Sequence, residues 1–172
     1  MLTNSPGTYA LVVLLTETAV ISIGKLGAEQ FIPGYYVYLG SALGPGGLRA
    51  RVGRHLRLRA SSIPHWHIDY LLRKSKLIEI WWRSGDDRQE CSWSEILGKV
   101  GMVFPLGFGS SDCECNGHLV AFHTRSALHE GRERLKLEVG SLFQYEGSSQ
   151  ETFQAVESEE EDGDSQDQYS SW

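Results

Sequence analysis

Between Gly34 and His55 the chain reads GYYVYLGSALGPGGLRARVGRH, and this run constrains the fold more than any other. A strand rich in tyrosine ends at Tyr38-Leu39-Gly40, and Gly44-Pro45-Gly46-Gly47 then turns the chain into an arginine-bearing helix. On that helix Arg51 and His55 are spaced i and i+4, so they share one face. A phenol, a guanidinium and an imidazole brought together suit phosphate binding and proton transfer better than they suit a core. Gly7-Thr8-Tyr9 stands 29 residues upstream when counted from Tyr9 to Tyr38.

The flanking pattern predicts an α+β domain: a small, mainly antiparallel sheet flanked by helices. Tyr9 to Leu15 and Val20 to Ile23 are apolar and rich in β-branched residues, and they read as two strands of a hairpin around Thr16-Glu17-Thr18. Phe31 to Leu39, starting with Pro33-Gly34 as a turn, completes three antiparallel strands. A helix is expected from about Gly47 to Arg59, with Leu48, Val52 and Leu56 inward. Pro64 opens a second helix, His65 to Arg73, on which His65 and Asp69 are i,i+4 partners. Leu77 to Trp82 reads as a strand and Cys91 to Val100 as an amphipathic helix burying Trp93, Ile96, Leu97 and Val100. The segment Gly107 to Gly117 reads as a Gly- and Ser-rich loop without apolar anchors, and His118 to His123 as a last strand.

The 172-residue length fits a single domain. We assign residues 1–140 to it and residues 141–172 to an acidic tail, expected to be disordered because it offers little to bury. The net charge of −6 belongs to that end of the chain. Of the 22 acidic residues ten fall in 137–172, which has no Lys or Arg, leaving twelve against sixteen bases in the body, about +4. Five of those bases, Arg49, Arg51, Arg54, Arg57 and Arg59, lie within eleven residues. Such a helix suits a nucleic-acid backbone, though a merely solvated face has the same composition. The odd count of three cysteines and the lack of a basic start followed by an apolar run argue against secretion. Ala10 to Ile23 is too short and too polar to span a bilayer. The expectation is a cytoplasmic protein with no membrane partner.

Taken together, Gly7-Thr8-Tyr9, Tyr38-Leu39-Gly40 and Arg51-x-x-x-His55 resemble the motifs of the GIY-YIG nuclease superfamily. Adding His65-Trp66-His67-Ile68-Asp69-Tyr70, Glu90-Cys91, the Gly107 to Cys113 loop and His118-Leu119, the chain is similar to the Uri-type branch. That branch is a small domain of poorly known function, sometimes fused to endonuclease III. The resemblance covers roughly Gly7 to Phe122. It implies a metal-dependent endonuclease acting on DNA, in DNA repair, with Mg²⁺ or Mn²⁺ as cofactor. Carried over residue by residue, it makes Tyr9, Tyr38, Arg51, His55 and Glu90 catalytic, with Glu90 the metal ligand. Arg49, Arg54, Arg57 and Arg59 would meet the DNA backbone.

The chain also departs from the pattern. The gap between the two tyrosine motifs is long, and an extra strand at Val20 to Lys25 is one way to fill it. Glu95 competes with Glu90, and the superfamily's terminal asparagine has only Asn116 as a rough counterpart. The alternative is therefore a non-catalytic nucleic-acid-binding module. Separately, Cys91, Cys113, Cys115 and His118 offer three thiolates and an imidazole, a donor set for structural zinc. Buried thiols beside the active site are the competing explanation.

Overall fold

The structure is a computed structural model in which residues 2–58, 63–136 and 138–141 are described. Of the expected features, Arg59 and the tail beyond residue 141 lie outside the described residues.

Strand β1 (Gly7–Leu15) organises everything else. All but one of its residues are buried, as expected of a central strand covered on both faces. Its odd positions Tyr9, Leu11, Val13 and Leu15 enter one core, while Ala10 and Val12 enter the other. It pairs antiparallel with β4 (Gly34–Ser41) and β5 (Lys76–Ser84). Adding β6 (Met102–Val103), β7 (Leu119–Phe122) and β8 (Glu138–Ser141) gives a six-stranded sheet in the order β6-β7-β4-β1-β5-β8. Its pairings are antiparallel throughout. The fold is thus α+β and mainly antiparallel, as the sequence predicts.

Helices cover both faces of the sheet. Leu48 and Val52 of α1 (Gly47–Leu58) join Ile68, Leu71 and Leu72 of α2 (His67–Leu72) in the core that holds Tyr9. Trp93 and Leu97 of α3 (Glu90–Leu97) join Leu128 and Leu135 of α4 (Arg125–Leu135) in the other.

Three expectations are corrected. β1 does not form a hairpin with β2 (Ala19–Ser22), which instead pairs with β3 (Ala28–Phe31) in a separate two-stranded ribbon. This ribbon fills the long gap between the tyrosine motifs and leaves β4 free to pair with β1. The turn expected at Pro33-Gly34 separates two strands rather than opening one: Phe31 ends β3 and β4 begins at Gly34, with Ile32-Pro33 between them, since proline has no N–H to give a ladder. The Gly107 to Gly117 loop does have an apolar anchor, since Phe108 is fully buried in the core beside Tyr38. α4, β6 and β8 are elements that the sequence reading did not foresee.

Candidate functional site

The β1–β4 register sets Tyr9 opposite Gly40 and Tyr38 opposite Leu11. From the helix above, His55 approaches Tyr9, and the phenol Oη lies 2.7 Å from His55 Nε2. Tyr9 is 1 % exposed and His55 fully buried, so bulk water is kept from this bond. Tyr38 packs its ring edge against His55 and against Phe108, with centroids 6.2 Å and 6.0 Å apart. It is only partly buried, and its hydroxyl has no hydrogen-bond partner among the described residues.

On its other side His55 meets Asp69 of α2, a residue the sequence reading paired with His65. His55 Nδ1 lies 3.7 Å from Asp69 Oδ1, too long for a hydrogen bond, and neither atom has a closer partner. The second carboxylate oxygen accepts hydrogen bonds from the backbone N–H groups of His65 (3.0 Å) and Trp66 (2.9 Å). The expected His65–Asp69 pair is therefore a backbone contact, because His65 precedes the helix. Arg54 approaches the same oxygen at 3.6 Å and lies 3.4 Å from the centroid of the Trp66 ring. Arg51 lies 4.6 Å from that ring centroid, and no described carboxylate pairs with it. Arg49 and Arg57 are exposed.

Burial dominates the electrostatics. It raises Tyr9 well above the ordinary tyrosine value, with the neighbouring Tyr38 adding to the effect, and lifts Tyr38 to about 12 against the lowering effect of Arg51. It lowers His55 despite the opposing pull of Asp69. Burial also works against the Asp69 charge, yet His55, the two backbone donors and Arg54 outweigh it and hold Asp69 well below the carboxylate range. The pocket thus holds two protonated phenols, a neutral imidazole and an ionised carboxylate.

Glu90 begins α3 and is 7 % exposed, with Oε2 buried and unpartnered. Its charge is felt by both Tyr9 and Tyr38. Glu95, its competitor on the same helix, is exposed. Asn116 is exposed too.

Next to Glu90 in sequence, Cys91 starts a second cluster. The ligand atoms of Cys91, Cys113, Cys115 and His118 all lie within 4.8 Å of one another. The sulfurs of Cys91 and Cys113 are 3.5 Å and 3.4 Å from His118 Nε2, and those of Cys113 and Cys115 are 3.2 Å apart. Tetrahedral zinc with Zn–S near 2.3 Å and Zn–N near 2.0–2.1 Å separates S from N by about 3.6 Å and S from S by about 3.8 Å. The donor set and spacing fit a metal such as zinc. Desolvation and the adjoining sulfurs push the Cys91 thiol up to about 12, the expected cost of crowding thiolates without a cation.

Of the first site, Trp66 was expected only to pack, and Asp69 was weighed for substrate binding only as the partner of His65, not of His55. The available signal was the placement of Asp69 three residues after Trp66, where a carboxylate reaches back to cap a helix start.

An α+β domain with a six-stranded antiparallel sheet, a buried Tyr-His-Asp chain and an adjoining Cys₃His cluster is the class these features define. The chain belongs to the family described as domain of unknown function DUF123, whose profile matches residues 8–141. No curated protein and no solved structure matches it. Among the described residues, no helix is long and apolar enough to cross a membrane.

Proposed function

We propose that the protein is a metal-dependent endonuclease that hydrolyses phosphodiester bonds in DNA, in the manner of the Uri-type GIY-YIG nucleases its motifs resemble, with DNA repair as its setting. The observation that carries this reading is the 2.7 Å contact between Tyr9 and His55 at the meeting point of Tyr38, Arg51 and Glu90.

Hydrolysis needs a base for water and positive charge on the phosphate. A free phenolate is a costly base here, because burial raises both tyrosines. The Tyr9–His55 contact supports a relay instead. In such a relay a single water, admitted with the phosphate although bulk water is excluded, gives its proton to Tyr9 Oη as the phenol passes its own proton to His55 Nε2, leaving hydroxide, neutral tyrosine and imidazolium. Tyr38, whose hydroxyl has no partner among the described residues, donates to a phosphate oxygen. Arg51, unpaired with any described carboxylate, neutralises the phosphate. The unpartnered buried oxygen of Glu90 fits Mg²⁺ or Mn²⁺, hard cations that take oxygen ligands, and such an ion supplies charge stabilisation at the phosphate. Arg49 and Arg57 attract the backbone from the solvent side.

The test is incubation with single-stranded, duplex and branched DNA, with Mg²⁺ or Mn²⁺ and with EDTA. Arg51→Ala and Glu90→Ala should each cost on the order of 10²-fold or more in rate with the circular dichroism spectrum unchanged. Cleavage that persists in both variants or survives EDTA overturns the mechanism. DNA binding without cleavage in the wild type would leave a non-catalytic binding module.

We also assign Zn²⁺ to Cys91, Cys113, Cys115 and His118. Four protein ligands close the coordination sphere, so its role is structural. Elemental analysis of protein purified without chelator should find roughly one zinc per chain.

A further inference from the structure

We infer that Asp69 is a positioning residue whose carboxylate fixes His55 in the tautomer carrying hydrogen on Nδ1, so that Nε2 is free to take the proton of Tyr9. The inference deepens the hydrolysis proposed above, and its catalytic half rests on that reading.

The argument starts from the inventory of hydrogens. A neutral imidazole has one N–H, on Nδ1 or on Nε2. If Nε2 held it, the ring would donate to Tyr9 Oη, and the bare lone pair of Nδ1 would face Asp69 Oδ1 at 3.7 Å. Two acceptors would then oppose one another in a site from which water is excluded, one of them carrying charge. With hydrogen on Nδ1, that contact becomes attractive and Tyr9 donates to Nε2. Only this arrangement gives both buried, otherwise unpartnered atoms a favourable neighbour.

Asp69 is built to act this way. It is 6 % exposed, and two backbone N–H groups and Arg54 hold its other oxygen, so the carboxylate is fixed and charged. When the proton reaches Nε2, the imidazolium forms directly opposite a carboxylate that is already ionised. No proton moves to Asp69. Orienting a histidine through its second ring nitrogen in this way is a general device of general-base sites.

The carboxylate also caps α2, so the test must separate capping from tautomer control. Asp69→Asn does this. Its side-chain oxygen can still accept from His65 and Trp66, while its amide now donates toward His55 Nδ1 and forces hydrogen onto Nε2. Nitrogen-15 NMR of His55 should report Nδ1–H in the wild type and Nε2–H in Asp69→Asn. Cleavage by the variant should lose at least about 100-fold in kcat with KM little changed. A wild-type ring protonated on Nε2 overturns the inference without any variant having to fold. So does a folded Asp69→Asn protein that keeps the wild-type tautomer and rate. If the wild type cleaves no DNA, the hydrolysis falls while the wild-type spectrum still decides whether Asp69 sets the tautomer.

Discussion

Gly40 is where the geometry of a single residue reaches furthest into the site. A Cβ at this position would lie 2.5 Å from Tyr9 Oη and 2.6 Å from Cζ, far inside van der Waals contact. The phenol has no room to move aside, because Tyr9 is enclosed by core. Gly40→Ala should therefore cost about 1–3 kcal/mol in overpacking. It should also part Tyr9 from His55. The checks are the urea midpoint and the cleavage rate, and a variant normal in both would mean the phenol is freer than its packing implies. The Tyr38-Leu39-Gly40 motif was plain in the sequence, but the reason for its glycine was not. That reason is a cross-strand contact with Tyr9, set by a pairing that skips the β2–β3 ribbon. Asp69 was hidden for the same kind of cause. Helical spacing tied it to His65, whereas its partner is 14 positions back on another helix.

At the scale of elements, legibility followed how much of each pattern was local. β1 and α1 carry their signals in their own residues, an apolar run and the Leu48–Val52 spacing after a Gly-rich turn. α4 does not. Its sequence RSALHEGRERL offers few apolar residues and has a glycine in its middle, which weakens an isolated helix. Gly131 is explained by tertiary contact, since a Cβ there would meet Leu97 Cδ2 at 3.0 Å and the Phe122 ring at 3.2 Å. The glycine lets α4 lie close on α3 and β7, a benefit invisible without the fold. A local signal did exist at the helix start, where Thr124 Oγ1 accepts a hydrogen bond from the Ala127 N–H at 3.1 Å. Thr124→Ala should destabilise the protein by about 1 kcal/mol through loss of this cap. Thermal unfolding measures it, and an unchanged midpoint would mean that packing alone sets where α4 begins.

Across the whole molecule, the two sites are joined by one short stretch of chain. Glu90 faces the tyrosines and Cys91 enters the sulfur cluster, both in the first turn of α3. The remaining ligands come from the irregular segment before β7, which is also held to the body by Phe108, the Ser94 Oγ to Gly117 O bond at 2.6 Å, the Gly109 N–H to His67 Nδ1 bond at 3.1 Å and the exposed Arg88–Asp112 ion pair at 2.8 Å. A metal in the cluster would thus tie α3, this loop and the start of β7 together, and would fix the helix turn that carries Glu90. Binding to the folded state alone stabilises by roughly 2.7 kcal/mol when free zinc is 100-fold above its dissociation constant. For a domain of this size that is on the order of 5–10 °C in melting temperature. Wild-type protein stripped by a strong chelator should melt lower by that amount and recover when zinc is returned. Cys113→Ser should melt at the lower temperature with or without chelator, since a three-ligand remnant binds zinc far more weakly. If the stripped wild type melts where the untreated protein does, the cluster is held by its protein contacts alone, and the position of Glu90 owes nothing to a metal.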